Sequence, residues 1–241
     1  MSFVSVPILE KMKTFYETTP TPERFSSYLK MLQGGAKDLK VPIAGYNPMA
    51  KGHIVTKLNE LISLDAEKIT RDVLYAFNQD FETNEFGSIE VILNLADDLK
   101  GGWTNRFSTD YDSKFKLNAL LERNFCSPFF WTSEEFSTEI IKIRVQEYAL
   151  RSFYVLKNGR AKTLNEHINQ EIFVASNSED NYNDQIDSDA FRYLKIHEEE
   201  LDYNLIFNFL YGDEISKSLN YPIYGLQSFA GYHLAKAIAQ K

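Results

Sequence analysis

The sequence predicts a mainly α, compact multi-helix domain with a minor β element at about residues 88–118. Apolar residues recur at helical spacing over most of the chain, and helix start and stop signals punctuate those stretches. Only around residue 88 does the period shorten to two. With 241 residues and 44% hydrophobic composition, about 70% of the unfolded surface is available for burial. That is enough for a core without disulfides or structural metals. The expected organisation is one domain over 1–241, with two lobes as the alternative.

Pro7 to about Thr18 and Pro22 to about Gln33 read as two short helices. Thr21 can cap the second, Pro22 fits its first position, and Gly34-Gly35 stops it. Asn47-Pro48 repeats the start signal, and Met49, Ile54, Leu58, Leu61 and Ile62 follow at near-helical spacing. Asp65 opens a fourth helix with a stripe of Ile69, Val73 and Phe77. Ile89, Val91, Leu93 and Leu95 then alternate with Ser88, Glu90, Ile92 and Asn94, which predicts a strand. Phe115 and Leu117 between Lys114 and Lys116 suggest a second, joined to the first by a long loop through Asp97 and Asp112.

The longest helix is expected after Pro128. Thr132 to Glu135 fits a capping box, and Gly159 is a stop. Ile141, Val145, Tyr148, Ala149, Ser152 and Leu156 share its inner face, with Glu147 and Arg151 paired on the other side. A second capping box, Thr163 to Glu166, starts a helix whose inward residues are Leu164, Ile168, Ile172 and Ala175. Residues 176–189 hold five acids and no Lys or Arg, and read as an acidic mobile loop or insertion. Helices resume near 190–201, 204–211 and 225 to the C-terminus.

Several function classes are disfavoured. A net charge of −8 lacks the basic footprint of a nucleic-acid binder. Lys157, Arg160 and Lys162 fall where a helix should end, and there they complement its dipole. The single cysteine, Cys126, cannot close an intrachain disulfide or build a cysteine zinc cluster. Its apolar setting suits an inert thiol. No run of ~18 apolar residues spans a membrane, and the N-terminus lacks a signal-peptide pattern. A cytoplasmic, acidic, soluble protein is expected.

Two functional readings remain. The first is a binding or regulatory protein that recognises another protein through the Gly101–Asp112 loop. Trp103, Arg106 and Tyr111 are the residue types that dominate interface centres, and Asn105, Asp110 and Asp112 add polar groups. The second is a divalent-metal-dependent hydrolase. His167 and Glu171, four apart, and His197 and Glu200, three apart, would each share a helix face. Two such helices could assemble a His₂–carboxylate₂ site, with Asp110 and Asp112 as the other candidate ligands. Zinc in such a site lowers the pKa of bound water toward ~7. HExxH, Gly-x-Ser-x-Gly and the phosphate-loop motif are absent. No cofactor motif is evident, so a divalent metal enters only with the second reading. Small residues along the C-terminal helix, including Gly231, Ala235 and Ala239, suit close internal packing, with self-association as the alternative.

Overall fold

The computed structural model describes residues 2–19, 21–32, 47, 50, 52–81, 87–99, 104–116, 121–122, 124–178 and 187–241. Gly34-Gly35, Pro48, Gly101-Gly102, Trp103, Leu117 and the centre of the acidic segment lie outside the described residues. The fold is mainly α with minor β, having eleven helices and five short strands among the described residues. None of these helices is long and apolar enough to cross a membrane. The chain divides into two compact units, Met1–Ser152 and Phe153–Lys241.

The first unit runs β1 (Ser2–Ser5), α1 (Leu9–Glu17), α2 (Pro22–Leu32), α3 (Gly52–Ser63), α4 (Ala66–Asp80), β2 (Ser88–Val91) and β3 (Asn94–Ala96). It continues through α5 (Arg106–Phe115), β4 (Phe125–Cys126), β5 (Phe129–Trp131) and most of α6 (Thr138–Asn158). Among the described residues all strand pairings are parallel: Phe3 beside Ile89, Val91 beside Cys126, and Leu95 beside Phe130. Parallel neighbours need a crossover, usually through a helix, and α5 supplies it between β3 and β5. The alternation at Phe115 and Lys116 therefore does not mark a second strand: Phe115 closes α5. The expected long loop is a strand–helix–strand unit, with Asn105 accepting from the Ser108 amide to cap α5.

Pro128 explains why the ladder breaks between β4 and β5. It has no N–H to donate, but its carbonyl accepts from Asn94 at 2.9 Å. Beside the break, the Ser127 hydroxyl donates to the Ile92 carbonyl at 3.0 Å. At the outer strand, the Asn78 side-chain amide bonds both the N–H and the C=O of Phe3, each at 2.9 Å. Pairing of this kind occupies backbone groups an edge would otherwise expose. Phe3, Met12, Ile54, Leu58, Leu61, Leu74 and Phe77 form the core beside it.

The start of α6 differs from expectation. Thr132 does not cap it; the cap is Ser137, whose hydroxyl accepts from the Ile140 amide at 3.2 Å. The Thr132 hydroxyl instead reaches the carboxylates of Asp97 and Asp98. The helix stops before Gly159, which takes φ +80°.

The second unit contains α7 (Leu164–Asn177), α8 (Ser188–His197), α9 (Tyr203–Tyr211), α10 (Asp213–Ser218) and α11 (Ala230–Ala239). The Thr163–Glu166 capping box forms as read. The inner face of α7 is Leu164, His167, Ile168, Glu171 and Val174, with Ile172 and Ala175 only half-buried. In α11, Gly231 lets Phe209 approach so closely that a Cβ would lie 2.9 Å from its ring.

Candidate functional site

Because β3 and β5 run parallel, both chains leave the pair at the same end. Ligand sites in parallel α/β sheets form at that carboxyl end. Here β3 is followed by Asp97-Asp98 and β5 by Thr132-Ser133-Glu134.

Asp97 is fully buried. Its carboxylate accepts from Asn47 Nδ2 at 2.9 Å, His53 Nε2 at 3.0 Å, Thr132 Oγ1 at 3.3 Å and the Leu99 amide at 3.3 Å. His53 stands in the first turn of α3, and its side chain is 26% exposed. A carboxylate only accepts, so the neutral imidazole must carry its proton on Nε2. That leaves the Nδ1 lone pair as the basic position.

Asp98 adjoins this pair. It accepts from Thr132 Oγ1 and the Ser133 amide, both at 3.0 Å, and from Ser133 Oγ. The Arg106 guanidinium lies 3.5 Å from Asp98 and 2.7 Å from Glu134, above the Trp131 ring. Arg144 approaches Glu134 at 3.2 Å and donates to the Phe129 carbonyl. The Asp97–His53 pair thus adjoins, through the shared Thr132 hydroxyl, a network in which Arg106 ties Asp98 to Glu134 and Arg144 also pairs with Glu134.

A second charged cluster joins α5 to α6. Lys114 lies 3.2 Å from both Asp110 and Glu147. Arg151 pairs with Glu147 at 2.9 Å, its side chain 1% exposed against the Phe115 ring. Glu147 and Arg151 therefore do not face outward as an exposed helix pair. Burial alone would raise the Glu147 pKa, but Lys114, Arg151 and Arg144 outweigh it and hold the carboxyl well below the ordinary range. Burial, with Asp110 and Glu147 nearby, pushes the Tyr148 hydroxyl well up; it bonds Ser113 at 2.7 Å.

The residues proposed from the sequence fall in different places. Arg106 belongs to the strand-end cluster and Asn105 caps α5 beside it. Tyr111 is 3% exposed, with its ring 5.1 Å from Phe115, so it offers no stacking surface. Asp110 and Asp112, two apart on a helix, point different ways. Each has its own lysine four residues on, Lys114 and Lys116. Asp110-Tyr-Asp112 is therefore not a chelating pair.

His167 and Glu171 share a face of α7, but the face is buried rather than solvated. The His167 Nδ1 contacts the Thr163 carbonyl at 2.7 Å, and burial lowers its pKa to about 4. His197 ends α8 with its ring 4.4 Å from Tyr193. Glu200 lies beyond that helix and accepts the Leu201 and Asp202 amides, so it does not share a helical face with His197. Among the described residues, no three His, Cys, Asp or Glu side chains gather where a metal ion could sit. Cys126 is buried beneath α6, and burial pushes its thiol up to about 12.

The sequence reading missed His53, Asn47 and Asp97 as a set, because they are 44 and 50 residues apart along the chain. A local signal does exist: two acids directly follow a short strand that is buried on both faces. Comparison with protein-family models, curated proteins and solved structures found no match.

Proposed function

We propose that the carboxyl end of β3 and β5 binds a small polar ligand and that His53 exchanges a proton with it. The first unit would then be an acid–base enzyme. One observation carries this reading: buried Asp97 holds Nε2 of a partly exposed histidine at 3.0 Å. A carboxylate in that position orients the ring, selects its tautomer and stabilises the imidazolium formed when Nδ1 takes a proton. Water or a ligand hydroxyl are the groups such a base activates, so hydrolysis or transfer is the reaction class. Arg106, with its side chain 37% exposed, is placed to orient an anionic part of the ligand.

A screen of ester, amide, phosphoester and glycoside substrates tests this. Turnover of one class should fall at least about 100-fold in His53→Gln and in Asp97→Asn, with the fold retained. Turnover equal to wild type in both variants would overturn the assignment, as would no turnover of any class.

Protein recognition is the second reading, favoured by Leu99, 57% exposed beside the same carboxylates. It predicts a partner whose binding weakens in Leu99→Ser and Arg106→Ala but not in His53→Gln.

A further inference from the structure

The second unit exposes a group of large apolar side chains that its own core does not use. Ile196 is 68% exposed, Leu201 65%, Ile223 57% and Tyr224 37%. They lie on two segments that come together. The Tyr203 ring, just past the first segment, meets the Tyr221 ring at the start of the second edge to face at 5.9 Å, and Phe207 packs on the same Tyr221 ring at 5.3 Å.

Both segments are fixed in place. Asp213 accepts from the Tyr224 amide at 3.1 Å, the Gly225 amide at 3.0 Å and Asn208 Nδ2 at 3.0 Å. Glu200 accepts from the Leu201 amide at 2.9 Å and the Asp202 amide at 3.1 Å. Apolar tips on turns pinned this way need little further ordering on binding, which removes a main cost of association. Water contact is the unfavourable state for such side chains.

Charge decides what covers them. Glu198, Glu199, Glu200 and Asp202 lie within the same turn, which contains no Lys or Arg. Lys195 answers only Glu198, at 3.6 Å, with both side chains well exposed. A second copy of a chain carrying net charge −8 would set like charges together, and an anionic membrane would be repelled too.

We propose that Ile196, Leu201, Ile223 and Tyr224 form a docking surface for a basic amphipathic segment of another protein. Apolar anchors of that segment cover the patch, and flanking Lys or Arg residues meet the acidic turn. This does not depend on the His53 site.

The probe is a fluorescent amphipathic peptide of alternating Leu and Lys blocks, with a Glu-for-Lys version beside it. Anisotropy and amide chemical shifts of the full chain are the readouts. The Lys peptide should bind, shift amides of residues 193–202 and 221–225, and weaken with salt. Ile223→Ser and Glu199→Lys, both surface changes, should each weaken binding about tenfold. Equal binding of the two peptides would overturn the proposal. So would no binding, shifts confined elsewhere, or unchanged affinity in both variants. Sedimentation of the full chain as a dimer that Ile223→Ser dissociates would also overturn it, in favour of self-association.

Discussion

Burying a carboxylate is unfavourable unless donors surround it, and Asp97 sits fully buried among four. Removing it takes away the acceptor at 2.9 Å from buried Asn47 Nδ2 and the one at 3.0 Å from His53 Nε2, while Thr132 keeps its bond to Asp98. Asp97→Ala should therefore cost about 3 kcal/mol in urea unfolding. A loss within experimental error of zero would show that the network is dispensable. His167 makes a pH prediction. Burial holds its folded pKa at about 4 against 6.5 for the ordinary group, so between those values the unfolded chain binds a proton the native chain does not. This contribution to stability is complete above pH 6.5 and falls as pH drops toward 4. The slope approaches about 1.4 kcal/mol per pH unit, and the total is about 3 kcal/mol. Unfolding curves across that range should flatten in His167→Gln, and an unchanged slope would contradict the assignment. Neither role was legible locally. The sequence sets His167 four residues before Glu171 as a candidate ligand pair, and only the packing of α7 reveals that this face is buried.

Helix signals transferred well where the side chain had no competing partner. Thr163 and Glu166 cap α7 as their spacing requires. Thr132 and Glu135 have the same spacing, yet Thr132 is drawn to Asp97 and Asp98 and the cap passes to Ser137. The parallel strands were harder to read. A strand buried on both faces loses its alternation, and parallel pairing leaves no hairpin turn to recognise. Helix α5 did carry a signal, since Phe107, Tyr111 and Phe115 repeat every four residues behind Asn105. The two-residue alternation at its end obscured it. Asn105→Ala should lower stability by about 1 kcal/mol through loss of the cap. Thermal unfolding measures this, and an unshifted midpoint would contradict the cap.

At the scale of the molecule, the mainly α class follows from periodicity alone, whereas the candidate site requires the fold. Asn47, His53, Asp97 and Thr132 come from four places in the chain and meet only because β3 and β5 end side by side. The boundary between the two compact units falls inside α6, where the buried face continues through Ser152 and Val155 and leaves no local break in the sequence. The candidate site depends on Asp97 fixing His53 with its proton on Nε2, which leaves Nδ1 free of one. Side-chain ¹⁵N chemical shifts of His53, taken at a pH where the imidazole is neutral, test it most directly. A protonated Nε2 and an unprotonated Nδ1 are expected, with that preference lost in Asp97→Leu. A proton on Nδ1, or a tautomer indifferent to Asp97, would contradict it.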